Sequence, residues 1–463
     1  MRLFNTLTRQ VEPLIPEAVQ NGERPFGMYS CGPTVQGPAH FGHARAALIP
    51  DVIRRVLEHR GIPVLHLRNI TDVDDKIIAV GQEEGIDPAQ VAEHFSRIFH
   101  RELKRLNTLE PHIEPRATGH LIQMIDMIRT LIDKGHAYAV DGDVFFRVRT
   151  KADYGKLSGR NVDDMVAGAR IAPDERKEDP ADFALWKSAK PGEPAWQSPW
   201  GLGRPGWHIE CSAMATHYLG RGLDLHTGGN DLIFPHHENE IAQAEAATGH
   251  EPFSRHWLHN GMLNIDGEKM SKSLGNFITL AEALDQYSGP VLRLYYLQHH
   301  YRSPVNFAGE RLGETIQAWN RVQTFVRNAR GVVLEGVEPD PALMKAADDA
   351  FDDDLNTPQV VSVMFDAVRE GNKALANEDV SLVATYLATV DGLAFQLGLD
   401  LSAGQDRVDD DTHLADLVEG LLAMRAAAKA EKNFGLADQI RNLLDGANIH
   451  IEDRRDGTSW KAR

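Results

Sequence analysis

Cysteine is scarce in this sequence, with only Cys31 and Cys211 among 463 residues. So low a count excludes a disulfide-stapled scaffold, and two distant thiols in an intracellular protein do not predict a disulfide. Free cysteines are usually small buried side chains. The alternative is that both thiols bind a metal ion, and the two interpretations stay open at this point.

The sequence also lacks long apolar runs and an excess of basic charge. We expect no stretch to be apolar enough to span a bilayer, and the opening residues lack the apolar core of a secretion signal. The formal net charge is −18, from 49 basic and 67 acidic residues. Because phosphate binding needs clustered cations, this charge argues against non-specific nucleic-acid binding. We therefore expect a cytoplasmic protein with no membrane partner.

Conventional nucleotide-binding loops are missing as well. No G-x-x-x-x-G-K-[ST] motif occurs in the sequence. The stretch GLGRPG, residues 201–206, formally matches G-x-G-x-x-G. It follows a loop rich in Pro and Trp, not a strand, and Pro205 lies inside it, so we reject the match.

The length predicts three or four domains, since 463 residues exceed one compact core. Residues 26–84 are patterned as strand, Gly/Pro loop, helix, strand and helix, which indicates a parallel sheet with right-handed crossovers. Polar, Pro-rich sequence over 120–200 reads as an insertion. A buried strand in GLDLHTGGNDL then resumes the sheet, and from about residue 280 the sequence is mostly helical.

Two histidines, His40 and His43, flank Gly42 where the loop after the first strand enters a helix. Helix amino ends attract phosphate through free N–H groups and the helix dipole, and the glycine leaves room for a nucleotide. The other interpretation is a pair of solvated loop histidines.

The stretch DGEKMSKSLGN, residues 266–276, offers Lys269, Ser271 and Lys272 in a predicted loop. Such lysines can neutralise charge that develops on pyrophosphate. The other interpretation is a solvated surface loop.

The helix start PHHENE places His236 and Glu240 four residues apart, on one helix face. Together with Cys31 and Cys211 they make a donor set that suits zinc. Dispersed ligands carry no spacing signature, however, and a polar helix start without a metal is the alternative. His237 is a competing ligand, about 100° around the helix from His236.

These motifs carry a resemblance to a known family. HFGH, residues 40–43, resembles the HIGH signature of class I aminoacyl-tRNA synthetases, and KMSKS, residues 269–273, is that family's second signature. CGPTV, NITDVDDKI, GWHIECSAM, GGNDLIFPHHENE and HYRSP are similar to the cysteinyl-tRNA synthetase family in particular. The resemblance runs from about residue 20 to the C-terminus.

The resemblance implies one zinc ion per chain, which holds the substrate cysteine and rejects serine. A site built to bond one substrate group rejects analogues that lack it by about 10⁴–10⁵, so we expect no editing domain. The implied metal ligands are Cys31, Cys211, His236 and Glu240. The residues implied beside the amino acid are Cys31, Thr71 and Trp207; without the resemblance, Thr71 reads as a helix cap and Trp207 as a core aromatic.

The implied reaction has two steps: L-cysteine and ATP with Mg²⁺ form cysteinyl-adenylate and pyrophosphate, and the cysteinyl group then passes to the 3′ end of tRNA(Cys). The implied catalytic residues are His40, His43, Lys269 and Lys272. The implied ATP-binding residues are His40, Gly42, His43, Gly228, Gly229, Asp231, Lys269, Ser271 and Lys272.

The resemblance also implies tRNA contacts in the C-terminal third, where RNA loops are read by stacking and edge hydrogen bonds. The candidate residues are Arg327, Arg330, Lys429, Phe434, Asp438 and Asp453. Relatives often carry Trp where this chain has Phe434 and Arg where it has Lys429. An amphipathic helix with solvated ends is the alternative interpretation.

We therefore expect an α/β fold: a Rossmann-like parallel-sheet catalytic domain with an inserted connective domain, C-terminal α-helical domains and a small α+β end unit, in a monomer. The predicted segments are 1–119 and 201–268 (the two halves of the catalytic domain), 120–200 (the insertion), 269–325 (the KMSKS loop and stem-contact region), 326–402 (the helical domain) and 403–463 (the anticodon-recognition unit of two helices and a hairpin). Two rivals are a ligase that joins activated cysteine to a small aminosugar, which should lack the end unit, and a catalytically silent paralogue.

Overall fold

The computed structural model describes residues 1–163, 175–265, 268–269, 278–307, 309–332, 337–402, 410–447, 449–454 and 457–462. The chain forms two compact units, Met1–Leu401 and Ser402–Arg463. It begins with an antiparallel hairpin and a single helical turn. These elements are β1 (Arg2–Asn5), β2 (Gln10–Pro13) and α1 (Glu17–Gln20).

The predicted alternation of strands and helices follows. Helix α3 begins where the Asp74 side chain accepts from the Lys76 N–H, and α4 begins with Asp87 as cap and Pro88 in its first turn, the usual start signals. The elements are β3 (Phe26–Ser30), α2 (Phe41–His59), β4 (Val64–Arg68), α3 (Asp75–Glu84) and α4 (Pro88–Arg105).

The predicted insertion contains one helix and an antiparallel sheet of order β5-β6-β7-β9-β8. Strand β9 lies beyond the predicted boundary at residue 200 but pairs with β7, Trp186 opposite Pro205, so we propose that the insertion extends to residue 205. The rejected GLGRPG match forms this strand. The elements are α5 (Leu121–Asp133), β5 (Ala137–Val140), β6 (Asp143–Phe146), β7 (Phe183–Ser188), β8 (Trp196–Ser198) and β9 (Gly201–Pro205).

The chain then returns to the first sheet, through α6 (Trp207–Tyr218), β10 (Leu223–Gly229), α7 (Glu238–Thr248) and β11 (His256–Asn260). The order of the four strands is β11-β10-β3-β4 and every pairing is parallel, so the predicted parallel sheet is confirmed. Ser30 pairs with Thr227. The residues that follow these two adjacent strands therefore leave the sheet at the same edge.

A small sheet and a set of helices complete the first unit. The sheet has the order β13-β12-β14, with β12 and β14 parallel. Apolar residues of α2, such as Leu48 and Val52, share one core with Leu393 and Leu397 of the last helix. The elements are β12 (Leu263–Ile265), β13 (Glu268–Lys269), α8 (Leu280–Gln286), α9 (Gly289–Leu297), β14 (Val305–Phe307), α10 (Gly309–Arg330), α11 (Pro341–Asp352), α12 (Thr357–Ala376) and α13 (Val380–Leu397).

Helix α13 corrects one expectation. Its 18 residues have a mean hydropathy of 1.4, so by length and composition alone it is apolar enough to cross a membrane. Half of it is buried inside the protein, and its buried residues include Val390, Leu393 and Leu397. That burial is typical of a core helix.

The second unit has the predicted two helices and hairpin. Its helices are α14 (Asp410–Ala430) and α15 (Phe434–Gly446), and its antiparallel strands are β15 (Ile449–Arg454) and β16 (Gly457–Ala462). A small core of its own joins the helices to the first strand, through Val418, Leu422, Ile440, Leu444 and Ile449.

Candidate functional site

Four potential metal donors converge at the carboxyl edge of the parallel sheet. Cys31 follows β3, and its N–H donates to the Thr227 carbonyl of β10 at 3.1 Å. Gly32 anchors the same loop by donating to Asn69 Oδ1 at 2.8 Å; an added Cβ there would overlap the Asn69 carbonyl oxygen. Cys211 comes from α6, while His236 and Glu240 come from the turn into α7 and its first turn.

The four donors are close enough to share one ion. Their ligand atoms all lie within 4.8 Å of one another. The Sγ atoms of Cys31 and Cys211 are 3.7 Å apart, close to the separation of about 3.8 Å that two thiolates take around tetrahedral zinc. Glu240 Oε1 lies 3.5 Å from the Cys31 Sγ and 2.9 Å from His236 Nε2. The residues present therefore fit zinc, as the resemblance implies.

The protonation of this cluster follows from burial and mutual contact. The hydrogen bond from Cys31 lowers the pKa of the Cys211 thiol to about 6, although burial acts against this. Burial raises the pKa of Cys31 well above its ordinary value. Burial alone would lower the pKa of His236, but the charge of Glu240, together with hydrogen bonds to Cys211 and Glu240, raises it to about 10. The pocket thus favours one thiolate over two.

Further histidines, which the sequence analysis did not assign, surround the donors. His208 Nδ1 lies 2.9 Å from His236 Nδ1, which leaves His236 Nε2 toward Glu240. His226 Nε2 lies 2.8 Å from the other Glu240 oxygen. Because a second group that holds a ligand imidazole fixes its orientation, His208 is in the position of a supporting residue for His236.

His237, the competing ligand, joins a second possible donor set with Cys31, His226 and Glu240. Its Nε2 lies 3.2 Å from the Cys31 Sγ, and its Nδ1 lies 2.7 Å from His259 Nε2. Burial lowers the pKa of His237 well below its ordinary value. Burial also lowers the pKa of His259, to about 3. The set with two sulfurs suits zinc better than this one with a single sulfur.

Polar residues in buried strands were the available signal for these missed histidines. Strand β10 is buried from Leu223 to Gly228, yet it contains His226, and the buried strand β11 contains His259. Buried polar side chains need partners. A polar residue in a buried strand therefore indicates that some partner exists. Strand periodicity does not show which residue that partner is.

The two residues implied beside the amino acid lie close to the donors. Thr71 is buried, and its Oγ1 donates to Glu210 Oε2 at 2.7 Å. Burial raises the pKa of the Glu210 carboxyl well above its ordinary value. Trp207 is 37% exposed, and its ring stacks on the His236 ring at 4.2 Å between centroids. Trp207 is therefore not a core aromatic.

His40 and His43 stack at the amino end of α2, with ring centroids 3.8 Å apart. His40 Nδ1 accepts from the Gly42 N–H at 3.0 Å, and His43 Nδ1 accepts from the His40 N–H at 3.3 Å. Burial lowers the pKa of His43 to about 3. A neutral His43 ring whose Nδ1 accepts carries its proton on Nε2, and this N–H can donate to phosphate oxygens.

The remaining nucleotide candidates lie at the end of β10 and beyond it. An added Cβ on Gly228 would approach His237 Cε1 to 2.6 Å, so a close backbone approach requires glycine there. Gly229 ends the strand and Asp231 is exposed. Lys269 lies on β13, with its side chain outside the described part of the chain; Ser271 and Lys272 also lie outside it.

The tRNA candidates are surface residues where the structure describes them. Arg327 and Arg330 are exposed on α10, and Arg330 pairs with Asp391 at 3.2 Å. In the second unit, Phe434 is 63% exposed at the start of α15. Lys429 and Asp438 are exposed as well, and Asp453 lies on β15 with a side chain outside the described residues.

Comparisons with known proteins agree on one family. Residues 17–317 match the family model described as tRNA synthetases class I (C) catalytic domain, and residues 347–402 match the DALR domain. The chain is 45% identical to the cysteine–tRNA ligase of Heliobacterium modesticaldum, over 100% of this chain and 99% of the relative. It is 44% identical to that of Trichlorobacter lovleyi, over the full length of both.

Solved structures share the fold at low identity. The methionyl-tRNA synthetase of Mycobacterium tuberculosis, in complex with methionyl-adenylate, has a TM-score of 0.59 at 18% identity and covers 85% of this chain and 94% of its own. The LeuRS of Agrobacterium radiobacter, in a ternary complex with tRNA and LeuAMS, has a TM-score of 0.60 at 12% identity, covering 82% of this chain and 85% of its own.

Proposed function

The chain belongs to the cysteine–tRNA ligase family of class I aminoacyl-tRNA synthetases, and from this premise we propose that it activates L-cysteine with ATP and transfers the cysteinyl group to tRNA(Cys). The observation that carries the amino-acid specificity is the convergence of Cys31, Cys211, His236 and Glu240 within 4.8 Å. We propose that these four residues hold one zinc ion per chain. Bound there, zinc would be a cation that accepts the substrate thiolate as a ligand in preference to the hydroxyl of serine.

The chain's own residues orient the amino acid around that position. The Thr71 hydroxyl donates a hydrogen bond to Glu210 and accepts one from Asn69 Nδ2 at 3.4 Å, so one lone pair of its oxygen can accept from the substrate ammonium group. Trp207 stacks on His236 and can cover one side of a small side chain. A pocket closed in this way suits cysteine and excludes larger amino acids.

In the activation step, the cysteine carboxylate attacks the α-phosphorus of ATP, and pyrophosphate leaves with its Mg²⁺. We propose that His40 and His43 donate from Nε2 to the phosphate oxygens as charge develops on them. Lys269 and Lys272 add positive charge on the leaving pyrophosphate. The remaining proposed ATP-binding residues are Gly42, Gly228, Gly229, Asp231 and Ser271. No protein nucleophile is needed.

In the transfer step, a ribose hydroxyl at the tRNA 3′ end, the 2′-OH by class I analogy, attacks the adenylate carbonyl and AMP leaves. Arg327 and Arg330 are proposed to bind the tRNA backbone. The second unit is proposed to read the anticodon, through Lys429, Phe434, Asp438 and Asp453. We also propose that the protein acts as a monomer in the cytoplasm, which light scattering of the purified chain tests in part.

The function is tested by ATP–pyrophosphate exchange with cysteine and with serine, followed by charging of tRNA(Cys). We expect exchange with cysteine alone, and charging. Exchange without charging would favour the small-acceptor ligase, and no exchange would favour the silent paralogue.

The metal assignment is tested with Cys211→Ser, which we expect to lower zinc content and abolish cysteine exchange. Thr216→Val is the matched control, because Thr216 lies on the same helix α6 and its buried hydroxyl has no hydrogen-bond partner among the described residues. The control should keep zinc and activity. A zinc-free Cys211→Ser protein with full exchange activity would refute the assignment.

A further inference from the structure

Arg45 is a buried cation in the second turn of α2, five residues after His40. Only 1% of its surface is exposed, and among the described residues no carboxylate pairs with it. Burial lowers its pKa to about 10, so it stays charged at neutral pH. Since a buried charge without compensating contacts is costly, the contacts that it makes must stabilise this location.

Those contacts are three backbone carbonyls from two separate segments. Arg45 Nη1 donates to the Gly261 carbonyl at 2.7 Å, and Nη2 donates to the carbonyls of His300 at 2.9 Å and Ser303 at 2.8 Å. The two segments are also bonded to each other, because the Gly261 N–H donates to the Tyr301 carbonyl at 2.8 Å. Arg45 therefore fixes a backbone junction to α2.

The junction leads directly into the strand pair that carries Lys269. Gly261 lies two residues before β12, and β12 pairs with β13 so that Asn264 faces Lys269. Behind β12, the Val305 N–H donates to the Met262 carbonyl at 3.0 Å. The position of the Lys269 backbone relative to α2 thus depends on the junction that Arg45 holds.

The chain beyond the KMSKS segment is attached to the same end of α2. The Leu280 N–H donates to the Ala39 carbonyl at 2.8 Å, and His40 and Thr279 form an isolated antiparallel bridge. The described residues on either side of positions 270–277 are therefore both anchored at the first turns of α2. On the entry side, Arg45 holds the junction, and the Phe41 ring of α2 packs against Phe307 of β14 with ring centroids 4.4 Å apart.

We propose that Arg45 is a positioning residue for amino-acid activation: it sets the β12–β13 backbone, and with it Lys269, relative to His40 and His43. This inference rests on the proposed function. Arg45 acts through Lys269, because both of its terminal nitrogens, Nη1 and Nη2, are engaged by carbonyls of the protein itself. Displacing catalytic groups by about 1 Å can cost about 100-fold in rate, so loss of the junction should appear in the activation step.

The first test replaces Arg45 with Met in the zinc-loaded full-length chain. We expect kcat for ATP–pyrophosphate exchange to fall by about 10–100-fold, while zinc content and the KM for cysteine stay within about twofold. Arg293→Met is the matched control. Arg293 is equally buried and also donates to backbone carbonyls, those of Leu106 and Leu397. Unlike Arg45 it also pairs with the carboxylate of Asp51, and it contacts no residue of the junction. The folded control should keep its kcat within about threefold.

A double-mutant cycle with Lys269→Ala separates positioning from general destabilisation. If Arg45 acts through Lys269, the double variant should be no slower than Lys269→Ala alone, within about threefold. Losses that multiply would overturn the proposal, as would equal losses in Arg45→Met and Arg293→Met. Exchange by the wild-type chain tests the proposed function separately, so the two failures are distinguishable.

A second variant changes the backbone partner Gly261 instead of Arg45, in case Arg45→Met does not fold. In Gly261→Ala the added Cβ would overlap the Ser303 carbonyl oxygen and lie 2.6 Å from that of Arg302. The segment must shift, and we expect the same selective loss of kcat. A folded Gly261→Ala protein with wild-type kcat would contradict the proposal.

Discussion

Glu102 on α4 predicts a specific dependence of stability on pH. The residue is fully buried, and neither carboxylate oxygen has a hydrogen-bond partner among the described residues. Burial raises the pKa of this carboxyl from 4.5 to about 7; the charges of Arg101 and Arg105 reduce the shift and that of Asp285 adds to it. The folded protein therefore holds a proton on Glu102 that the unfolded chain releases at much lower pH.

The sign and size of the effect follow from this difference. Below pH 4.5 the side chain is protonated in both states, and its neutral form is compatible with burial. As the pH rises toward about 7, the unfolded chain has lost its proton and the folded chain has not, so the free energy of unfolding falls. The full difference corresponds to about 3 kcal/mol, of which about 2–3 kcal/mol is lost between roughly pH 5 and 8.

The assay is urea unfolding of wild type and Glu102→Gln at pH 5 and pH 8. Glutamine stays neutral, so the variant should gain about 2–3 kcal/mol relative to wild type between the two pH values. Glu114→Gln is the control. Contacts with His100 and Arg68 hold the pKa of Glu114 below its ordinary value despite burial. The loss of unfolding free energy caused by Glu114→Gln should therefore be nearly equal at both pH values. The reasoning would be refuted if Glu102→Gln and wild type differed in unfolding free energy by the same amount at pH 5 and at pH 8.

Three further predictions concern the proposed sites. His208→Ala should weaken zinc binding by about 10–100-fold in a chelator competition, whereas His217→Ala, an exposed change on the same helix, should not; equal affinities would remove the supporting role of His208. Lys272→Ala should slow cysteine-dependent pyrophosphate exchange and leave zinc content unchanged by metal analysis; loss of metal would count against its assignment to the phosphates. Phe434→Ala should raise the KM for tRNA(Cys) in charging by about 5–150-fold, since stacking of a base is worth about 1–3 kcal/mol, and should leave pyrophosphate exchange unchanged. Leu443→Ala, equally exposed on α15, is the control. An unchanged KM for tRNA(Cys) in Phe434→Ala would contradict the anticodon role.

Sequence patterns predicted the elements whose signals are local. The strand and helix alternation around β3, α2 and β4, the buried strand β10, and the two helices and hairpin of the second unit are all confirmed. Each depends on hydrophobic period and on start or stop residues within a few positions. The insertion was predicted from composition, which changes gradually along the chain. The predicted boundary at residue 200 lies before β9, and β9 pairs with β7.

Features that depend on distant contacts were not accessible in the same way. The thiols of Cys31, after β3, and Cys211, on α6, are adjacent in the fold although 180 residues separate them in the sequence, and the sequence alone left their metal role open. His208, His226 and His259 received no role because nothing in a strand or helix period names a partner. Arg45 was overlooked beside the HFGH motif, since its three carbonyl partners lie 216–258 residues further along the chain. Helix α13 lies in the segment predicted to be mostly helical, but the expectation that no stretch is apolar enough to span a bilayer overlooked its composition.

The donor cluster has a consequence for how the protein is made. Glu240 lies 209 residues after Cys31, while Cys211, His236 and Glu240 follow one another closely. During synthesis on the ribosome, the nascent chain carries a solitary thiol until the whole insertion has emerged, and then acquires the other three donors in quick succession. Capture of the proposed zinc ion would thus be a late event for the catalytic domain, yet it could precede translation of the helices that are proposed to receive the tRNA.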